Sequence, residues 1–137
     1  MNVAVCADDR GGTFFMGHRL SSDREIMRDL VMSADGRILI AEYSQPLFEE
    51  IECNYEVCGD PLALASDTDI CFIEGGICEE YIRDIRALTV YRWNRHYPSD
   101  PGSRIYPEKL GFTLCTSEDF PGYSHERITK EIWKHES

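Results

Sequence analysis

Apolar positions fall along this chain in two rhythms. "NVAVCA" (2–7), "DICFIE" (69–74) and "ALTVYRW" (87–93) are short, nearly continuous apolar runs, the pattern of strands covered on both faces. Between the first two, Ile26, Met27, Leu30, Val31 and Ala34 repeat at helical spacing and form one stripe. Ser22 with Glu25 three residues on predicts a capping box at that helix's start, and Gly36 is placed to end it. "RILIAEY" predicts the next strand, "SQPLFEEI" a short helix capped by Ser44, and "NYEVC" a brief strand. Asp60-Pro61 predicts a short helix through Ala65, and "ICEEYIRDI" a further helix. After "NRHYPSDPGSRIYP", a loop dense in turn residues, "GFTLCTS" and "HERITKEIWK" can pair as a hairpin. The second of these also allows a helix, since Ile128 and Ile132 are four apart. Strand–helix alternation followed by an antiparallel tail predicts one α/β domain over residues 1–137 with a mixed sheet.

Composition narrows the function. The chain is 42% hydrophobic, carries a net charge of −11, and has no apolar run near the roughly 18 residues of a membrane span. "MNVAVCADD" lacks the basic start and long apolar stretch of a signal peptide, so a cytoplasmic location and no membrane partner are expected. The acidic balance disfavours nucleic acid unless a local patch overrides it. The six cysteines show no C-x-x-C spacing. Cys6, Cys71 and Cys115 lie in strand-like runs, where a thiol behaves as a small hydrophobe, and the four histidines form no metal motif.

The order of these elements, with certain local words, resembles dihydrofolate reductase. "VAVCADDRGG" resembles the family's first strand and the start of its mobile loop, and "LSSD" (20–23) its L-P-x-D/E at the head of the first helix. "ILIAEYS" falls where the family has a strand ending in G-R-x-T, and "FIEGGICEEYI" on its I-G-G-G corner. "LTVYRW…IYP" and "FTLCTSEDF…SHERITKEI" follow its last strands and closing hairpin. The resemblance implies a shortened three-layer α/β/α domain with a mostly parallel sheet. It also implies that Asp23 stands where the family's acid holds a pterin. Asp23 falls three and four residues before Ile26 and Met27, so spacing alone places a carboxylate on the apolar stripe, where it needs a partner such as Arg19 or Arg92. A first-turn acid favoured by the helix dipole is the competing reading.

The departures from the family bear on the cofactor. Glu42 stands where the family has its phosphate-binding arginine, with Ser44 keeping a hydroxyl, and Glu74 replaces the first glycine of the corner. A carboxylate about 5 Å from a phosphate costs roughly 3 kcal/mol per charge pair. NADPH is therefore disfavoured, and Gly75 and Gly76 are expected to serve the tight turn rather than a phosphate cradle. One strand-plus-loop unit of the family is missing between "AEYS" and "DICFIE", as is the tryptophan of its mobile loop.

The remaining chemistry sits in "YRWNRHYPSD". Arg92, Arg95 and His96 alternate with Tyr91, Trp93 and Tyr97, a composition suited to a planar anion, a nucleotide or an exposed base. Alternatively the aromatics pack and the arginines pair with nearby acids. In a reductase-like topology His18, Arg19, Asp23, Arg92, Asn94, Ser124 and His125 approach one cleft, with His18 and His125 available for acid–base chemistry. The words "FMGHRLSSD", "YRWNRHYP" and "SHERITKE" also resemble a group of short bacterial proteins, some of which carry the name ribonuclease Z. The H-x-H-x-D-H zinc pattern that name implies is not in the sequence, and no metal is expected.

Two function classes follow. One is a small-molecule site, a reductase descendant or a binding module without hydride transfer, built on Asp23, His18, His125 and their neighbours. The other is a nucleotide- or RNA-handling protein using residues 91–97.

Overall fold

The structure, a computed structural model, describes the chain apart from Gly17, Leu20, Glu50, Cys78, His96, Pro101, Gly102, Glu136 and Ser137. Its main sheet is built from β1 (Asn2–Ala7), β4 (Ile38–Ile40), β5 (Tyr55–Val57), β6 (Ile70–Phe72), β7 (Ala87–Arg92), β8 (Phe112–Phe120) and β9 (Ile128–His135). The strand order is β5-β4-β6-β1-β7-β9-β8. From β5 to β7 the neighbours are parallel, and β9 and β8 add an antiparallel hairpin. A separate two-residue pair, β2 (Phe14–Phe15) with β3 (His18–Arg19), lies in the loop after β1.

Both faces of the sheet are covered, as the continuous apolar runs require. Ala4, Tyr91, Trp93 and Phe72 face α1 (Arg24–Ser33), whose Ile26, Met27 and Leu30 are buried. Val3, Val5, Leu88 and Val90 face Leu62 of α2 (Pro61–Leu64) and Ile85. The alternate residues of β1 and β7 thus divide between two cores. This is the three-layer α/β/α arrangement with a mixed, mostly parallel sheet. Burying each large aliphatic side chain contributes roughly 1.5–3 kcal/mol, and Leu30, fully buried at the centre of the α1 stripe, is such a residue. Tyr91 ties the same helix to the sheet, its hydroxyl donating to Asp29 at 2.6 Å while Lys130 pairs with that carboxylate at 2.8 Å. Among the described residues no helix is long and apolar enough to cross a membrane.

Several local expectations shift. The N-cap of α1 is Asp23, not Ser22: its backbone is extended and its carboxylate accepts from the Glu25 amide. Ala34, not Gly36, ends the helix. Gly36 instead permits close approach to Thr68, whose carbonyl oxygen would lie 2.7 Å from an added Cβ. The helix expected over "SQPLFEEI" is a 3-10 helix over Glu42–Leu47, and Ser44 sits inside it rather than capping it. Pro46 has no N–H to donate to an α-helical ladder there. "ICEEYIRDI" likewise yields a 3-10 helix, Glu79–Asp84. Residues 128–135 settle as a strand because β7 supplies a complete antiparallel partner. Cys115 is exposed, since it lies on the edge strand β8 where the register shifts between Leu114 and Thr116. Cys71 is buried, and Cys78 lies outside the described residues.

Candidate active site at the carboxyl edge of the sheet

The parallel strands β1, β4, β6 and β7 end at the same edge, which the N-terminus of α1 also reaches. Ligands of open α/β sheets sit at such an edge. Here Asp23 is 3% exposed, and a carboxylate so buried needs compensation. The compensation comes from a segment a hundred residues away. Oδ1 accepts from the amides of Glu25 and Tyr123, both at 2.9 Å. Oδ2 accepts from the Ser124 amide at 3.0 Å, the Ser124 hydroxyl at 3.1 Å and His125 Nδ1 at 2.9 Å. Burial raises the Asp23 pKa, but the Tyr123, Ser124 and Glu25 amides and the His125 ring outweigh it and hold it at about 2. Gly122 makes this approach possible: an added Cβ would lie 2.8 Å from Asp23 Oδ2 and 2.7 Å from the His125 carbonyl oxygen.

His125 is buried and stacks on Trp93, ring centroids 4.6 Å apart. With Nδ1–H donated to Asp23, Nε2 is left as an acceptor. The hydroxyls of Ser21 and Tyr97 both lie 3.2 Å from it. Asp23, Ser124 and His125, all expected at the site, are therefore brought together, and Tyr97 joins them. Ser21 was not expected. Nothing in its local sequence marks it, because its partner is 104 residues along the chain.

Arg19, Ser44 and Glu74 form a second cluster. Arg19 holds Glu74 through Nε at 2.7 Å and Nη2 at 3.1 Å, and its guanidinium lies over the Tyr43 ring. The Ser44 hydroxyl donates to Glu74 at 2.7 Å. Arg19 is thus the partner of Glu74 rather than of Asp23. Gly75 has φ +100°, a left-handed turn that favours glycine, while Glu42 is exposed. Cys6 lines the same hollow with Trp93, Ser21 and Thr13. Burial, with Glu74 and Asp23 close by, pushes its thiol well above the ordinary range, so it is a poor nucleophile.

Other expected residues are dispersed. His18 is exposed on β3, lining a surface hollow with Phe15, Met16 and Tyr97. Arg92 pairs with Glu131 at 3.0 Å, and Asn94 donates to Thr129 Oγ1 at 2.9 Å. Trp93 is 2% exposed, so it offers no open face for a base. Arg95 is exposed and His96 lies outside the described residues. Within this segment Tyr91 and Trp93 pack inside and Arg92 pairs with Glu131, as the packed alternative expects for those three residues. Among the described residues no group of three or more His, Cys, Asp or Glu side chains is placed to hold a metal ion.

A cleft of about 570 Å³ opens beside Asp23, between α1 and the 3-10 helix, with Met27, Leu47 and Ile51 on its walls and Arg24 and Arg28 at its rim. It shares Ser22, Met27 and Leu47 with the smaller hollow that contains Ser21. No protein-family model matches the sequence, and no curated protein matches it. Among solved structures, it is similar to dihydrofolate reductase from Enterococcus faecalis complexed with NADP(H) and RAB-propyl, at a TM-score of 0.65. That match covers 100% of this chain and 97% of the enzyme at 11% identity. The fold is dihydrofolate reductase-like. At that identity the likeness extends to the fold alone.

Proposed function

We propose that this protein binds a small planar molecule, pterin- or nucleotide-like, in the cleft between α1 and the 3-10 helix, and that it does not use NADPH. The observation that carries the reading is the cleft itself: about 570 Å³, lined by Met27, Pro46, Leu47 and Ile51 together with Asp23, Arg24, Arg28 and Glu52, at the carboxyl edge of the sheet. Met27, Leu47 and Ile51 suit a ring, and Arg24 and Arg28 suit an acidic group on it, in a chain otherwise strongly negative. Because the Asp23 carboxylate already accepts five hydrogen bonds, the ligand is held by these walls and arginines rather than by a bidentate clasp on Asp23.

The same reading treats the cofactor's phosphate corner as closed. The Ser44 hydroxyl, which the family's threonine resembles, donates to a carboxylate instead of a phosphate, and Arg19 is committed to that same Glu74. Thermal melts with folate, dihydrofolate and AMP test the cleft. One of them should raise Tm, and Leu47→Trp, which fills the cleft, should remove the shift. No shift with any of the three would overturn the reading. Loss of NADPH absorbance with dihydrofolate tests the cofactor claim, and turnover near the roughly 10 per second of ordinary enzymes would sink it.

A further inference from the structure

We propose that Ser21, His125 and Asp23 form a nucleophilic relay, making Ser21 the attacking group of an esterase-type site in the small hollow beside the cleft. The first support is the chain of contacts. Asp23 Oδ2 holds His125 Nδ1 at 2.9 Å, and the opposite ring nitrogen, Nε2, lies 3.2 Å from Ser21 Oγ. That is the order nucleophile, base, orienting acid, at separations within reach of proton transfer.

The second support is rigidity. Asp23 is fixed by three backbone amides, and the imidazole plane is fixed by stacking on the buried Trp93. A general base held in one tautomer and one orientation is what such chemistry needs. The third support is position. Ser21 is partly buried and lines a hollow of only about 10 Å³, which shares Ser22, Met27 and Leu47 with the large cleft, so a substrate carbonyl reaches Ser21 from the cleft side only as that shared wall gives way.

The substrate class is a carboxylic ester whose ring or acid group the cleft receives, and to that extent the inference rests on the cleft reading above. Ser21 Oγ adds to the carbonyl carbon while its proton passes to His125 Nε2. The ester C–O bond then breaks, and the departing alcohol takes that proton. Water adds to the acyl-serine carbonyl as Nε2 takes a proton from it, the bond to Ser21 Oγ breaks, and Oγ recovers the proton from Nε2. One ester and one water become one acid and one alcohol, and the chain is restored. Tyr97 shares Nε2 with Ser21, so its hydroxyl must swing away, or stay as a second donor, when Ser21 reacts.

A biotinylated fluorophosphonate followed by intact-mass and peptide mapping tests the relay, with p-nitrophenyl acetate hydrolysis alongside. The expected result is one adduct per chain on Ser21, absent in Ser21→Ala and slowed about 100-fold or more in His125→Gln. Ser21→Ala should also remove the p-nitrophenyl acetate hydrolysis while its melting curve stays like wild type. Should His125→Gln fail to fold, the Ser21→Ala comparison decides alone. No adduct on Ser21, or hydrolysis unchanged in Ser21→Ala, would overturn the relay. Neither reagent carries the ring or acid group that the cleft would bind, so an empty-handed cleft and an inert serine give different results.

Discussion

Two buried aspartates at opposite edges of the sheet solve the same problem differently. Asp69, just before β6 at the amino edge, is 2% exposed and is met by a guanidinium: Arg37 Nη2 lies 2.9 Å away, with the Ser66 amide and hydroxyl completing the shell. Arg37 also reaches Glu56 at 2.6 Å, so one cation clips β4, β5 and the approach to β6 together. Asp23, at the carboxyl edge, meets no guanidinium. Its charge is balanced by amide dipoles, a hydroxyl and an imidazole that itself points onward to Ser21 and Tyr97. Arg37 holds Asp69 down to about 2, chiefly by its hydrogen bonds, and Asp23 reaches the same value without an arginine. The difference teaches that a low carboxylate pKa does not mark a site. What marks one is a partner that can still exchange a proton and an opening beside it.

Substitution of the carboxylate separates the two edges most strongly. All five contacts of Asp23 come from donors, so in Asp23→Asn the amide NH₂ must face N–H or O–H groups whichever way it turns. We expect a loss of about 3 kcal/mol in urea unfolding, comparable with breaking a buried charged pair. Near-neutral stability would mean that the donors are not converged on this group. Arg37→Ala comes next. It leaves Asp69 with Ser66 alone, but water can reach the vacated side, since Arg37 is 40% exposed. A smaller loss than in Asp23→Asn is expected, with the m-value unchanged.

The pH response of the two edges should coincide. Each aspartate has a folded pKa of about 2 against an ordinary 3.8. A depressed folded value contributes stability that is complete above the unfolded pKa and is lost as pH falls from about 4 through about 2. Denaturant midpoints measured from pH 5 to pH 2 should therefore fall, and fall less steeply in Asp69→Asn, where one of the two groups is gone. Parallel slopes for wild type and mutant would contradict the Asp69 assignment. Salt gives the smallest effect. Raising ionic strength from about 0.1 M to 1 M shortens the screening length from about 10 to 3 Å, so the coupling of the half-exposed Arg37 pair should weaken while that of the amide shell around Asp23 does not. A double-mutant cycle on Arg37 and Asp69 at two salt concentrations measures this.

Local pattern carried the scaffold further than the site. The apolar runs of β1, β6 and β7 and the stripe Ile26–Met27–Leu30 were legible because one periodicity decides each of them. The 3-10 helices were not, since Pro46 and the short connections override a spacing that also suits an α-helix. Asp23 was legible as a carboxylate needing a partner, but the partner was not: Arg19 and Arg92 were nearer in pattern, yet Glu74 and Glu131 claim them. The resemblance placed Ser124 and His125 in the same cleft as Asp23, but not as its hydrogen-bond partners, because that contact depends on Gly122 letting the backbone pass within contact distance. Ser21 was hidden for the same reason.

The tautomer of His125 tests the account most directly. The molecule supplies its own reference, because His135 Nε2 lies 2.8 Å from the Ile82 carbonyl oxygen and must donate its proton there. A long-range ¹H–¹⁵N spectrum at neutral pH should show opposite patterns in the two rings, with the proton on Nε2 of His135 and on Nδ1 of His125, whose Nε2 stays bound only to hydroxyl hydrogens. A proton on Nε2 of His125 with Nδ1 bare would contradict the account, since the ring could then neither accept from Ser21 nor be held by Asp23.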